Sequence, residues 1–353
     1  MAFPTHVLVA PLNWGLGHSS RCIPIVNYFL EQGISVSIAS DGAALELLKG
    51  EFPHLNSLEL NSSQVTYSSS SFFFYLKLIL QGRGLEERAK KDEILVENYA
   101  KKNHVDLIVS DHRFGAFSKT IKSVIISHQL QFKAGLFSRA SSFFNAKYHN
   151  RYDEVWIPDA EVPFDLSGVL SYSKQVKVPT QRIGILSRFS KIESLEDIDY
   201  LAVISGPEPL RTSLEKCLIT AFQVISDKKT VIVRGVYDTP TLDDLPNISF
   251  YNHLKSKELN ALICRSKLIV CRSGYSSVMD LACLGKKAFF IPTPHQGEQE
   301  YLAKRLEKEG IAPFSNQEDF KVSDLDKISQ YSGFKVDERL RFPLQTFRRT
   351  LEE

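Results

Sequence analysis

Histidines at the ends of apolar runs are the first residues in this chain whose type and placement suggest chemistry. Of its nine histidines, His18, His112, His128, His253 and His295 fall just after short Val- and Ile-rich runs or in the loops those runs feed. An imidazole titrates near neutral pH, so a histidine so placed can take a proton from an attacking hydroxyl. His18 ends the loop Pro11-Leu12-Asn13-Trp14-Gly15-Leu16-Gly17, whose glycines permit a tight turn and close backbone approach to a ligand. A helix starting there adds its N-terminal amides. A dinucleotide fingerprint would need a third glycine where Ser20 stands, which disfavours a plain NAD site. The plainer reading of the loop is a glycine turn capped by Ser19 or Ser20.

Two further segments have the make-up of an anion site. Ser205-Gly206-Pro207-Glu208-Pro209-Leu210-Arg211 follows an apolar run, with small residues for a tight loop and Arg211 available to a phosphate. Alone, it reads equally well as turn chemistry. The richer segment runs Arg272-Ser273-Gly274 into a helical stretch carrying Asp280, then on to His295-Gln296-Gly297-Glu298-Gln299-Glu300. Ser273 and Gly274 open a helix whose amides suit a pyrophosphate, and Asp280 suits ribose hydroxyls. His295, Gln296 and Gln299 form a neutral polar set suited to a sugar. The bland alternative is a solvated Asp280 and an ordinary helix-to-strand loop.

The elements that must hold these groups follow from the apolar runs. They are 7–10, 34–39, 105–110, 124–127, 154–157, 201–205, 230–233, 248–251, 268–271 and 288–292, with longer amphipathic stretches between them. Continuous apolar strands alternating with helices predict parallel sheets covered on both faces. Ten strands divide more naturally into two Rossmann-like sheets of about five than into one. Periodicity lapses between 156 and 200, where Pro158, Pro163, Pro179, Gly168 and Gly184 collect, so the boundary is expected near 170. In open parallel sheets ligands bind at the carboxyl ends of the strands, which is where the histidines and loops above fall. The expected fold class is therefore α/β, two Rossmann-like parallel-sheet domains facing a central cleft.

The totals restrict the function. The 353 residues carry 43 Lys and Arg against 41 Asp and Glu, a balance that gives no general drive toward nucleic acid. Five cysteines without a C-x-x-C pair fit reduced thiols and a cytoplasmic protein. The first residues show no basic or small-residue features of a signal peptide. Phe72 to Leu80 is far shorter than the roughly 20 residues of a membrane span. Residues 68–80 nonetheless offer either a buried helix or an apolar lip for peripheral contact with a membrane or a lipid-linked acceptor. No metal-ligand cluster is apparent, and Asp197-Ile198-Asp199, a superficial D-x-D, precedes its strand and so lies at the amino edge.

The segment 272–301 resembles the donor-site signature of the family 28 GT-B glycosyltransferases, of the MurG-like type that builds peptidoglycan. Asn13 to Arg21 resembles that group's N-terminal glycine loop and Ser205 to Arg211 its second phosphate loop. The resemblance implies a GT-B fold: an acceptor-side domain over 1–170, a nucleotide-sugar domain over 171–333, and a final helix, 334–353, packing back on the first domain. It implies His18 as the catalytic base, with Asp111 and His112 as neighbouring candidates, and Asn13, Gly15, Gly17 and His128 on the acceptor side. Ser205, Gly206, Ser273 and Gly274 would hold the donor diphosphate, with Arg211 available to its phosphates and Arg272 also on the donor side, Asp280 the ribose, and His253 the region of the base. His295, Gln296, Gln299 and Glu300 would face the sugar. Asp280 stands where the family has a glutamate, and Glu300 replaces the second of two glutamines.

The function so implied is metal-independent, inverting transfer of a hexose or N-acetylhexosamine from a nucleoside-diphosphate donor, a UDP-sugar, in making a cell envelope glycan. The acceptor is a small molecule or is lipid-linked, no cofactor is needed, and nucleic acid is not a partner. The sequence leaves two rivals: a UDP-GlcNAc 2-epimerase-like enzyme on the same architecture, and a non-catalytic GT-B-like subunit that binds nucleotide-sugar for a partner.

Overall fold

The computed structural model describes residues 3–14, 16–61, 82–131, 138–236 and 239–340. Gly15, the lip at 68–80 and residues 341–353 of the expected final helix lie outside them. The chain forms two compact units, one of Met1–Arg188 with Glu338–Glu353 and one of Phe189–Asp337. The break falls later than 170 because the stretch after 157 supplies one more strand to the first sheet.

That sheet has seven parallel strands: β1 (His6–Pro11), β2 (Ser35–Ser40), β3 (Asn56–Glu59), β4 (Leu107–Asp111), β5 (Lys122–Ile126), β6 (Glu154–Ile157) and β7 (Thr180–Arg182). Their order is β3-β2-β1-β4-β5-β6-β7, reversing direction of growth at β1 and β4. Helices α1 (Gly17–Glu31), α2 (Gly42–Glu51), α3 (Gly82–Lys102) and α4 (Ser138–His149) connect them. Val- and Ile-rich strands buried on both faces form the core: Leu8, Ala10 and Ile108 pack on Val96 and Ala100 of α3, and Ile125, Val155 and Ile157 on Phe117 and Tyr152. Register fixes the functional row. Pro11 pairs with Asp111 and Asp111 with Ile126, so Leu12, His112 and Ser127 leave the sheet side by side.

The second unit has five parallel strands, β8 (Ile198–Val203), β9 (Thr230–Val233), β10 (Ile248–Tyr251), β11 (Ser266–Cys271) and β12 (Ala288–Phe290), ordered β10-β9-β8-β11-β12. Helices α5 (Leu210–Gln223), α6 (Ser256–Arg265), α7 (Tyr275–Leu284) and α8 (Gly297–Lys308) join them. Ile204, Leu214, Leu218, Phe222, Ile232, Val270 and Phe289 make its core. Pairing aligns Val233 with both Val203 and Tyr251, and Cys271 with both Val203 and Phe290. Every candidate donor loop therefore leaves from one edge.

All ten expected strands are present. β3 and β7 are additional: each ends the first sheet and is polar and short, Asn-Ser-Leu-Glu and Thr-Gln-Arg. The expected helix does not begin at Phe334. The Phe334 amide instead donates to the Lys286 carbonyl at 3.1 Å, while its ring meets Phe290 edge-on at 6.4 Å. Only a 3-10 turn, Glu338–Leu340, follows among the described residues. That turn belongs to the first unit, where Ile185 donates to the Leu340 carbonyl at 2.7 Å and Arg339 lies 3.6 Å over the Phe164 ring.

Candidate functional site

The carboxyl edge of the first sheet gathers the expected base and its neighbours. Gly17 is the first residue of α1 and His18 the second, so the imidazole meets the end of β4. His18 Nδ1 lies 2.9 Å from Asp111 Oδ1, and the His18 side chain is 16% exposed while Asp111 is fully buried. Arg21, one turn along α1 and on the same helix face as His18, donates from Nε to Asp111 Oδ2 at 2.5 Å and from Nη2 to Oδ1. Nη2 is also 2.8 Å from His18 Nδ1, and Nη1 is 3.3 Å from His128 Nδ1. His128 is thus joined to the cluster through Arg21. The hydroxyls of Ser19 and Ser20 donate to the Leu16 and Gly17 carbonyls, so neither acts as the helix cap.

His112 stands beside this group in a left-handed conformation, φ 55°. Its Nε2 is 2.8 Å from Ser127 Oγ, and its ring is 5.5 Å from that of His18 and 5.7 Å from that of His149. Asn13 is placed by Asp41, which accepts from its amide at 3.2 Å. Asp41 in turn pairs with the buried Arg113, which also bonds Asp92 at 3.0 Å and the Asn61 carbonyl at 2.8 Å.

Electrostatics separates these groups. Burial lowers the His18 pKa and the Arg21 charge lowers it further, with Asp111 pulling the other way. Burial, then the neighbouring His18 and His149, holds His112 well below the usual histidine range. Burial alone would raise Asp111, but Arg21 and His18 hold it well below the usual carboxylate range. At neutral pH His18 and His112 therefore stand uncharged beside an ionised aspartate that is already paired.

In the second unit Ser205 and the positive-φ Gly206 are exposed just beyond β8. Arg211 is held by its neighbours. Its Nε bonds Glu208 at 2.5 Å, Nη1 bonds Glu215 at 2.7 Å and the Arg234 carbonyl at 3.0 Å, and Nη2 bonds Thr212 at 2.7 Å. With two carboxylates upon it, the guanidinium ties down the start of its own helix. Arg272 is held likewise. It is almost wholly buried, donating to the carbonyls of Ile291, Pro292 and Leu210 and to Gln317 Oε1 at 2.7–3.1 Å. Burial lowers its pKa to about 10, which still leaves it charged at neutral pH. Arg272 thus fastens three loops together.

Gly274 is the N-cap of α7, with φ −66° and ψ 144°. Ser273 Oγ donates to the Gln299 carbonyl at 2.8 Å, and Gln299 Oε1 accepts from the Thr293 amide at 2.8 Å. A methyl placed on Gly274 would lie 3.8 Å from Gln299 Nε2, so the helix start and the Gln299 amide flank one spot. Glu300 Oε1 accepts from the amide of His295, an exposed residue at φ 64°. Asp280 is half-buried on α7, Gln296 is the N-cap of α8, and His253 is half-buried in the loop after β10. Asp197 and Asp199 lie at the opposite, amino edge, where they pair with Arg265, Lys229 and Lys267.

Residues 227–331 match the model of the glycosyltransferase family 28 C-terminal domain. The match lies within the second unit. Its matched stretch contains His253 and every candidate from Arg272 to Glu300. The chain is 25% identical over 156 residues to a UDP-N-acetylglucosamine–N-acetylmuramyl-(pentapeptide) pyrophosphoryl-undecaprenol N-acetylglucosamine transferase of Sulfurihydrogenibium. That match takes in 39% of this chain and 44% of the relative, so the chain spans less than half the length of this curated relative. It is also 23% identical over 328 residues to an uncharacterized glycosyltransferase of Methanosarcina acetivorans, covering 84% and 82% of the two chains.

Solved structures agree on the fold. The spinosyn rhamnosyltransferase SpnG superposes with a TM-score of 0.66 over 99% of this chain and all of its own, at 14% identity. MurG of Acinetobacter baumannii does so with 0.54 over 98% and 93%, at 16% identity. The fold is that of the GT-B glycosyltransferases. The residues that sequence reasoning missed are Arg21, Arg113 and Gln317. Only Arg21 had a legible signal, its three-residue spacing from His18.

Proposed function

We propose that this chain is an inverting glycosyltransferase that moves a hexosyl or N-acetylhexosaminyl group from a nucleoside-diphosphate sugar, a UDP-sugar, to an acceptor hydroxyl. The observation that carries this reading is the pairing of His18 with a buried, ionised Asp111 at a strand-end edge, in a chain whose other unit contains the match to the family 28 domain. When Asp111 accepts from Nδ1–H, the Nε2 lone pair of His18 is the base. It takes the acceptor's hydroxyl proton as that oxygen bonds to the anomeric carbon. The bond from that carbon to the diphosphate breaks, the electron pair leaves with the diphosphate, and configuration inverts. The positive end of α7 at Gly274, with Ser205 and Gly206, stabilises the departing charge.

Two features support a route that needs no metal. The helix terminus supplies the electrostatics, and both aspartates of the D-x-D are committed to basic partners at the wrong edge. Asp280 is assigned to the ribose, and Gln299, Glu300, His295 and Gln296 to the sugar. The Sulfurihydrogenibium relative's name specifies an undecaprenol-linked acceptor, which supports a lipid-linked acceptor for this chain, met at the cytoplasmic face of the membrane during synthesis of an envelope glycan.

A thermal-shift panel of UDP-, GDP- and dTDP-sugars tests the donor: UDP-sugars alone should raise the melting temperature, and a panel without any shift would sink the reading. With the donor known, His18→Ala should cut transfer by about a hundredfold or more while leaving donor binding intact. Sugar epimerised or released without acceptor would favour the epimerase instead.

A further inference from the structure

A histidine paired with a buried carboxylate has a built-in difficulty as a base. An ionised aspartate in hydrogen-bond contact favours the charged imidazolium, which has no lone pair to accept a proton. The same contact that orients the ring thus tends to disable it at neutral pH. Here a third group enters. Arg21 takes both oxygens of Asp111 through Nε and Nη2, and Nη2 stands 2.8 Å from His18 Nδ1, closer than Asp111 Oδ1 at 2.9 Å. A guanidinium does not release its proton, and it is buried here, so its charge is felt at short range and is little screened.

We propose that Arg21 is a positioning residue for the transfer reaction, one that keeps His18 uncharged by occupying Asp111, so that the aspartate aligns the ring without protonating it. The inference rests on the assignment of His18 as the base. The carboxylate and guanidinium cancel, leaving the imidazole against a neutral pair rather than a bare anion. The other groups around His18 do not upset this balance. The His112 ring, 5.5 Å away beyond β4, is held uncharged by burial. His128, beyond β5, lies 3.3 Å from Arg21 Nη1 and 6.5 Å ring to ring from His112, and its influence on His18 is in the same direction as that of Arg21. The Cys22 thiol, 3.8 Å from Asp111, is kept protonated by burial. Arg21 also explains why the pair tolerates complete burial of Asp111, which a neutral histidine alone would not balance.

The test compares kcat/KM across about pH 5–9 in the full chain, which reports the free enzyme's base. Arg21→Met should move the acid limb up by about one pH unit or more, so that transfer near pH 6 falls about tenfold relative to pH 8. Adding Asp111→Asn to it should bring the limb back down. A merely structural role for Arg21 would lower the rate at every pH and leave the limb in place, and that result overturns the proposal. If Arg21→Met does not fold, the comparison becomes Asp111→Asn against Arg21→Met/Asp111→Asn, with the acid limb expected higher in the second. Histidine-labelled protein followed by nitrogen NMR reads the His18 titration directly, its signal assigned by loss in His18→Ala. Should His18→Ala transfer sugar normally, the base assignment fails. The NMR titration still decides whether Arg21 holds His18 uncharged: an unchanged His18 titration in Arg21→Met refutes it.

Discussion

At the scale of single residues, the first unit places polar groups in its interior, and one of them is the histidine at the end of α4. His149 donates from Nδ1 to the Asn145 carbonyl at 2.7 Å, while its fully buried Nε2 meets no partner among the described residues. Burial lowers its pKa to about 4. An unfolded chain takes up this proton below about pH 6.5, whereas the folded chain resists until about pH 4. The stability contributed by a neutral His149 is therefore complete above about pH 6.5 and is lost as pH falls toward 4, by up to about 3 kcal/mol. Denaturant melts at stepped pH should show that decline in the wild type and a flatter one in His149→Gln. Equal slopes would mean that His149 is solvated in solution.

At the scale of elements, Gly274 separates folding from binding. Its backbone lies in a region open to any residue, and an added methyl meets only Gln299 Nε2 at ordinary contact distance. Gly274→Ala should leave the melting temperature within about 2 °C. It should weaken the donor nucleotide by about tenfold or more, read by calorimetric titration, since the methyl stands where a diphosphate must approach the helix end. Unchanged affinity would place the diphosphate elsewhere.

The elements also show what a reader of the sequence can see. Ten buried strands announce themselves as apolar runs. β3 and β7 do not, because an edge strand is held by one ladder of backbone bonds and needs no apolar side chains. The candidate loops were legible because parallel sheets fix where loops must lie. Which partners Arg211 and Arg272 have within the fold was not: a guanidinium looks the same in sequence whether it stands alone or is paired, as Arg211 is with Glu208 and Glu215. Carboxylates three residues before and four after Arg211 were the available clue.

At the scale of the whole molecule, each unit has its own sheet and core, and the second is continuous in sequence from Phe189 to Asp337. At roughly 150 residues it has the usual size of an independent domain. Expressed alone, 189–337 should melt cooperatively and retain the thermal shift caused by the donor nucleotide, while catalysing no transfer. A noncooperative melt or loss of the shift would show that the donor site requires the first unit.

The polypeptide leaves the first unit after Arg188 and re-enters it at Glu338, and the hydrogen bond from Ile185 to Leu340 holds the flanks of these two junctions together. In covalent terms the second unit is an insert whose entry and exit lie side by side, the arrangement in which a host domain best accepts a foreign passenger. The second unit is thus a removable cassette. On the proposed assignment of the donor site, grafting the second unit of another GT-B chain between 188 and 338 should change the sugar while leaving the His18–Asp111–Arg21 edge intact, and a single protease nick between the halves would leave one covalent link.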